Sequence, residues 1–125
     1  EADTLRTITD LLDLQMAQGK LVYLRHNPST VISKVVRGKI KTAFKKVRQS
    51  QLGAVDLIVF RTIDAHHWNP GLDLWCFKTD VLLIEVKSKK GKTSKAQERW
   101  AERAVAQGCR YIVARSLEDA QEALR

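Results

Sequence analysis

Two acidic residues and a lysine stand at the ends of two apolar runs, where their side chains could act on a phosphodiester bond. The apolar run 81–84 leads into Glu85-Val86-Lys87, and Asp56 lies at the start of a second run, residues 55–60. Residues two apart in a strand point to the same face, so Glu85 and Lys87 are predicted to project side by side. Burying both charges is costly unless they meet a metal ion or a phosphate. Two carboxylates and a lysine that converge from neighbouring strands therefore predict a divalent-metal site that hydrolyses phosphodiester bonds.

The residue types indicate how such a site would work. Carboxylate oxygens are hard ligands, which favour Mg²⁺ or Mn²⁺ over zinc. Asp56 and Glu85 are predicted to hold the ion, and Lys87 to orient or help deprotonate the attacking water and to contact the phosphate. Gln97 lies about one turn into a predicted helix, from where its amide could reach the water or Lys87. No serine or cysteine nucleophile is indicated.

Positive charge is concentrated on either side of this candidate site. The net charge is +8, and no acidic residue occurs between Asp13 and Asp56. The cations of that acid-free run are Lys20, Arg25, Lys34, Arg37, Lys39, Lys41, Lys45, Lys46 and Arg48. The cations that follow Glu85 are Lys87, Lys89, Lys90, Lys92 and Lys95. A single charge run is often only a solvated face, but two that flank one site predict contacts to the phosphates of a nucleic acid.

Length and composition limit the class of protein. A chain of 125 residues is predicted to form one domain with one core. Cys76 and Cys109 form no CxxC pair and give no disulfide framework, so a reduced, cytoplasmic protein is expected. No apolar run approaches the roughly 20 residues that span a bilayer, and no signal-peptide pattern opens the chain. A membrane-surface role is disfavoured because the basic run lacks an amphipathic helix with aromatic anchors.

The order of predicted elements is that of an α/β protein. Apolar residues recur at helical spacing over residues 4–18, and Gly19 marks the end of that helix. The next predicted elements are strands over 21–25, 39–47, 55–62, 75–77 and 81–87, with a loop or hairpin tip over 64–73. Residues 30–50 are ambiguous, since they fit either a helix face or a basic hairpin, and strands over about 39–47 are favoured. The strand 55–62 is continuously apolar, which is typical of a strand buried on both faces.

The second half of the chain has clearer boundaries. Ser94 and Gln97 form a capping-box pattern before a helix over residues 96–107. A strand over 110–115 and a short helix that begins near Ser116 and Asp119 follow. Helices on both sides of one mixed sheet are therefore predicted.

These elements and residues resemble the PD-(D/E)XK nuclease superfamily, and in particular its VRR-NUC family. The residues that carry the resemblance fall into segments spread over most of the chain. They are Glu1 ahead of the first helix; Arg25 and Asn27; Gly53, Asp56 and Leu57, with Val55 where the family has proline; Glu85 and Lys87; Gly91, Lys92, Ser94, Gln97 and Trp100; and Gly108 with residues 111–119.

The resemblance implies a fold, a ligand set and a substrate. The implied fold is restriction-endonuclease-like, a mixed central sheet flanked by helices, formed as a single nuclease domain over residues 1–125. Glu1 and the main-chain carbonyl of Val86 would complete the metal site of Asp56 and Glu85. DNA would be contacted by residues of the two basic regions, namely Arg25, Asn27, Lys39, Lys41, Lys45, Lys46, Arg48, Lys89, Lys90 and Lys92.

The implied activity is Mg²⁺- or Mn²⁺-dependent endonucleolytic cleavage of branched DNA such as four-way (Holliday) junctions, in DNA repair. A homodimer is expected, in the cytoplasm, including the nucleoid or the cytoplasm of a phage-infected cell. The chain has few aromatic residues and no evident recognition helix. This favours recognition of the DNA by its backbone and shape over recognition of its base sequence. Two alternatives remain: a flap, end-processing or nicking nuclease on duplex DNA, and a non-catalytic DNA-binding module of the same fold. DNA and RNA are not distinguished, and His26 is a weak candidate for substrate contact.

Overall fold

The computed structural model describes residues 1–26, 30–36, 39–45 and 55–125. Within these ranges nine elements follow in order: α1 (Ala2–Ala17), β1 (Val22–Arg25), β2 (Thr30–Val36), β3 (Lys39–Lys45), β4 (Leu57–Asn69), β5 (Leu74–Val86), α2 (Lys95–Ala106), β6 (Arg110–Ala114) and α3 (Leu117–Ala123). The predicted α/β class with a mixed central sheet is confirmed. Asn27, Lys46, Arg48 and Gly53, which carried predicted DNA contacts or part of the resemblance, lie outside the described residues.

The strands form two sheets where one was predicted. The four-stranded sheet has the order β1-β4-β5-β6, in which β1, β4 and β5 are antiparallel and β6 is parallel to β5. Among the described residues, β2 and β3 pair only with each other, in antiparallel orientation. The strand favoured over residues 39–47 is confirmed as far as Lys45, and the helix alternative does not hold for 30–36 and 39–45.

One face of the four-stranded sheet carries the hydrophobic core. Leu57 and Val59 of β4 and the alternate residues Leu82, Ile84 and Val86 of β5 are buried there. Ile8 and Leu12 of α1 and Ala120 of α3 pack against them. The predicted first helix is confirmed, and Gly19 follows it with φ +73°, a left-handed conformation that glycine adopts without strain.

The opposite face of β5 carries Glu85, and α2 lies over it. Leu83 and Glu85 alternate with the core residues and are also buried, so β5 is covered on both sides here. On β4 the same face is less covered: Ile58 and Phe60 are only partly buried, while Leu57 and Val59 are fully buried. The prediction that strand 55–62 is buried on both faces is therefore wrong for β4.

A long β-hairpin replaces three predicted segments. Of the loop or hairpin tip expected over 64–73, residues 70–73 do form the tip, while the strand β4 continues as far as Asn69; the strands expected over 75–77 and 81–87 are the single strand β5. The polar residues fit in strand conformation because β4 and β5 pair with each other along their length, with register shifts after Thr62 and Asp64. Near the tip Trp68 stands opposite Trp75, edge to face, with ring centroids 5.8 Å apart.

A buried aspartate ties this hairpin to β6 and α3. Asp80 on β5 is 7% exposed and accepts hydrogen bonds from Arg110 at 2.6 and 2.8 Å and from Arg61 at 3.0 Å. The two guanidinium groups also donate to the last main-chain carbonyls of α3: Arg61 to Leu124 O at 2.5 Å and Arg110 to Ala123 O at 2.9 Å. These carbonyls have no partner within the helix, so the two arginines satisfy groups that would otherwise be left without one.

We expect Asp80→Asn to destabilise the fold strongly at neutral pH. Hydrogen bonds from Arg110, with those from Arg61, hold the pKa of Asp80 below its ordinary value of 3.8, although burial acts the other way. The stabilisation is therefore complete above that value and is lost as the pH falls through the lowered pKa. Removing one member of a buried ion pair costs about 3–5 kcal/mol, and a loss at the lower end is expected because Arg110 is 44% exposed.

Urea unfolding of wild type and Asp80→Asn at neutral and acid pH measures this effect. Glu122→Gln is the matched control, since the Glu122–Arg125 pair is 70% and 79% exposed and such pairs contribute about 0–1 kcal/mol. The stability difference for Asp80→Asn should shrink in acid. A difference that is independent of pH, or no larger than that of the control, would contradict the role given to Asp80.

Candidate active site

Antiparallel pairing of β4 with β5 brings the two predicted acidic residues together. Leu57 pairs with Ile84, so Asp56 lies level with Glu85 one residue further on. The main-chain N–H of Val86 donates to Asp56 Oδ2 at 2.8 Å, which fixes the Asp56 side chain against the strand that carries Glu85. The convergence that the sequence predicted for Asp56 and Glu85 is therefore present.

Glu85 is a buried carboxylate with one satisfied and one unsatisfied oxygen. Its Oε1 accepts from Gln97 Nε2 at 2.6 Å and lies 3.3 Å from Lys87 Nζ. Its Oε2 is buried and has no hydrogen-bond partner within the described part of the chain. A buried oxygen without a partner normally costs about 1–3 kcal/mol, and more when it is charged. A cation bound at Oε2 would supply the missing partner.

The electrostatics around Glu85 point the same way. Burial raises the pKa of Glu85, and the negative charge of Asp56 and, more weakly, of Glu1 raises it further, while Lys87 lowers it. Among the described residues, the charges of Asp56 and Glu1 therefore add to that of Glu85, and Lys87 offsets part of the repulsion. A divalent cation bound there would offset the repulsion and favour the ionised form of Glu85.

The donor set fits a hard cation with few protein ligands. Within the described residues, no group of three or more His, Cys, Asp or Glu side chains could hold a metal ion. Glu1 influences Glu85 through its charge but is not brought into such a group. Mg²⁺ is commonly held by only one or two carboxylates, with water and substrate phosphate oxygens as the other ligands. Asp56 and Glu85 meet that requirement, and the predicted ligands Glu1 and the Val86 carbonyl stay predictions.

Gln97 enters the site through the cap of α2. Ser94 Oγ accepts from Gln97 N at 3.1 Å, and Gln97 Oε1 accepts from Ser94 N at 2.9 Å, so the predicted capping box is present. Because Oε1 is used by the cap, Nε2 remains to donate, and its acceptor is Glu85. The amide thus orients the carboxylate, whereas the sequence had suggested the water or Lys87 as its partner.

Lys87 and the cations near it line one side of the site. The Lys87 side chain is 15% exposed, and its main-chain N–H donates to Ala114 O at 3.0 Å, which extends the β5–β6 pairing. Lys89, Lys90 and Lys92 follow and are exposed. The other predicted DNA contacts of the described chain are Arg25, exposed at the end of β1, and Lys39, Lys41 and Lys45 on β3.

Two side chains near the site were missed or given little weight in the sequence analysis. Tyr111 on β6 pairs with Leu83, two residues before Glu85, on the same sheet face. Burial and the charges of Glu85, Asp56 and Glu98 raise the pKa of Tyr111 to about 12, so its phenol stays a neutral donor. His26 donates its main-chain N–H to Asp56 O at 2.8 Å, and its Nε2 is buried without a partner in the described chain. Strand order would have been needed to find Tyr111.

The mixed α/β fold is consistent with a nuclease domain, and comparison with protein families agrees. Residues 11–118 match the family described as the VRR-NUC domain, so the chain belongs to this family. Its function is accordingly of the nuclease type, with DNA as substrate. No curated protein and no solved structure matches the chain. No helix of the described residues is long and apolar enough to cross a membrane.

Proposed function

We propose that this protein is a metal-dependent endonuclease that hydrolyses phosphodiester bonds in branched DNA, with four-way junctions as the preferred substrate. The observation that carries the proposal is the buried Glu85 carboxylate. It lies beside Asp56 and Lys87, and one of its oxygens has no partner in the described chain. In a domain of the VRR-NUC family this is the arrangement expected for a cation site at a scissile phosphate.

The residues divide into ligands and positioning groups. Asp56 and Glu85 would hold Mg²⁺ or Mn²⁺, and a bound ion supplies a more acidic water and offsets the charge that builds on the phosphate. The Val86 N–H keeps Asp56 in place, and Gln97 keeps Glu85 in place. Both carboxylates are thus oriented before substrate arrives, so no free energy is needed to reorganise them during the reaction.

Lys87 has the position of the group that acts on the water or the phosphate. Its ammonium group lies 3.3 Å from Glu85 Oε1 and is mostly buried, so it faces the ligands and has little contact with bulk water. An ammonium group there would stabilise charge on the phosphate and orient the nucleophile by hydrogen bonding. The water oxygen would form a new P–O bond as the bond from phosphorus to the leaving oxygen breaks; the proton lost by water passes to solvent, the leaving oxygen takes up a proton, and no covalent intermediate is formed.

The cations around the site support binding to the DNA backbone. Lys89, Lys90 and Lys92 are exposed directly after the strand that carries Glu85, and Arg25 ends the strand next to β4. Lysines of this kind contact phosphates and carry no base information, which suits a substrate defined by its shape. A homodimer would place two such sites on opposing strands of a symmetric junction, and this assembly is part of the proposal.

The test is cleavage of labelled four-way, flapped and linear DNA with Mg²⁺, with Mn²⁺ or with EDTA. We expect cleavage with either ion and none with EDTA, and a rate on the four-way junction at least about tenfold above that on linear duplex, since only the junction matches two sites. A rate on flapped or linear DNA equal to that on the four-way junction would favour the flap, end-processing or nicking alternative. Metal-independent binding without any cleavage would favour a non-catalytic DNA-binding module and reject the proposal.

A further inference from the structure

Arg115 follows β6 and holds the segment that comes after the Glu85 strand, residues 87–92, here called the lysine loop. Its guanidinium Nη1 donates to Ser88 O and to Gly91 O, each at 2.6 Å, and reaches Lys89 O at 3.5 Å. The first two distances are short even for hydrogen bonds from a charged donor. The Arg115 side chain is therefore hydrogen-bonded to main-chain carbonyls near both ends of the loop.

Arg115 is itself fixed at its backbone. Its main-chain N–H donates to Asp119 Oδ2 at 2.8 Å, and Asp119 N–H donates in turn to Ser116 Oγ at 3.3 Å, at the start of α3. Inside the loop, Gly91 N–H donates to Ser88 O at 3.1 Å and closes a tight turn. A side chain at Gly91 would be crowded, since a Cβ would lie 3.0 Å from Ser88 Oγ and 3.3 Å from Ser88 N, which is tighter than most such contacts.

This arrangement turns two main-chain amides outward. In a trans peptide the C=O of one residue and the N–H of the next point in opposite directions. Since Ser88 O and Gly91 O point at Arg115, the N–H groups of Lys89 and Lys92 point away from it. Among the described residues neither amide has a hydrogen-bond partner. Outward amides on a turn, together with exposed lysine side chains, are groups that bind an anion.

The charge balance favours an anionic ligand at the same place. Arg115 makes no ion pair with any described residue, and its guanidinium group donates hydrogen bonds to neutral main-chain carbonyls. The loop that it supports carries Lys89, Lys90 and Lys92, all exposed. Placing a guanidinium group beneath three lysines adds repulsion, and a phosphate bound on the outer side would offset it.

We propose that Arg115 is a positioning residue that shapes the lysine loop into a binding site for a DNA backbone phosphate beside the Glu85 site. The inference rests on the proposed function, because it identifies which part of the substrate this loop holds. Arg115 acts from behind the loop through Ser88 and Gly91, and the phosphate is contacted by the amides and side chains of Lys89 and Lys92, with Lys90 alongside.

The test is the affinity for a fluorescent four-way DNA junction, measured in EDTA at several salt concentrations. Arg115→Met and Arg115→Lys should both weaken binding by about tenfold. Both should also make the log–log salt slope shallower by roughly one to two, since each phosphate contact contributes about 0.9. Lysine should fail to substitute because one ammonium group cannot span two carbonyls. Arg103→Met, which removes an exposed charge from α2, is the control and should bind within about twofold of wild type.

Gly91→Ala is a second test of the loop shape, in which the charge of the protein is unchanged. The added methyl group crowds Ser88 Oγ and Ser88 N and shifts the turn, so binding should weaken, though less than in Arg115→Met, while the melting temperature of each variant reports whether the chain still folds. The proposal is overturned if Arg115→Lys binds like wild type, which would make Arg115 a direct phosphate contact. It is equally overturned if a folded Gly91→Ala variant keeps normal affinity. If wild-type protein binds no DNA at all, the proposed function fails together with this inference.

Discussion

Replacing Glu85 with glutamine is expected to lower the rate of DNA cleavage by a factor of about 10³ or more while the protein still folds and binds DNA. Glutamine keeps the shape of the side chain but removes the negative charge that would hold the cation, and a metal ion contributes several kcal/mol to such a reaction. Binding in EDTA should be unchanged or tighter, since a negative charge near the phosphate has been removed.

The thermal stability of this variant distinguishes a functional from a structural carboxylate. Burial raises the pKa of Glu85, so the folded protein binds the proton more tightly than the unfolded chain does. Ionised Glu85 therefore costs stability at every pH above its raised pKa. Glu85→Gln should accordingly melt at the same temperature as wild type or higher in the absence of metal, although its cleavage is lost.

Asp56→Asn should lose cleavage to a similar extent for the same reason, and its amide oxygen can still accept from Val86 N–H. Glu102→Gln on the exposed side of α2 is the matched control and should cleave like wild type. Single-turnover cleavage and DNA affinity in EDTA, measured on the same preparations, provide the comparison. Near-normal, EDTA-sensitive cleavage by Glu85→Gln would remove Glu85 from the active site.

The parts of the fold that the sequence predicted correctly are those specified by local chemistry. The end of α1 at Gly19 and the start of α2 at Ser94 and Gln97 were found because caps and left-handed glycines depend on a few neighbouring residues. The hairpin of β4 and β5 was divided wrongly because its polar middle is held in strand conformation by cross-strand pairing, which local composition does not reveal.

The same distinction applies to the candidate site. Asp56, Glu85 and Lys87 could be predicted because charged residues at the ends of apolar strands are rare and chemically specific. The acceptor for the Gln97 side chain could not be predicted. The helix cap uses the amide oxygen, which leaves the amide nitrogen to donate to Glu85, and the sequence does not show this division. Arg115 and Tyr111 required the parallel pairing of β5 with β6, a contact between segments more than 20 residues apart that only strand order defines.

Replacing Lys87 with alanine should lower the single-turnover rate by a factor of about 10²–10⁴, the usual range for a positioned proton-transfer or electrostatic group. Affinity for the metal ion and for the junction should change little, because Asp56 and Glu85 remain. Lys87→Arg should not restore full activity, since the guanidinium group keeps its proton and has a different shape and reach. Lys78→Ala, an exposed lysine on the same strand, is the control and should retain wild-type rate and stability.

The competing interpretation is that Lys87 only neutralises Glu85 in the folded chain. Lys87 Nζ lies 3.3 Å from Glu85 Oε1, and the two side chains are 15% and 4% exposed, so the loss of a purely structural partner would leave a buried carboxylate unpaired. Breaking a buried pair in this way costs about 3–5 kcal/mol, which a melting curve detects easily. The catalytic interpretation expects instead that stability is largely retained with bound Mg²⁺, because the ion takes over the neutralisation, while the rate stays low. A Lys87→Ala variant that melts early yet cleaves at the wild-type rate per folded molecule would reject the catalytic role.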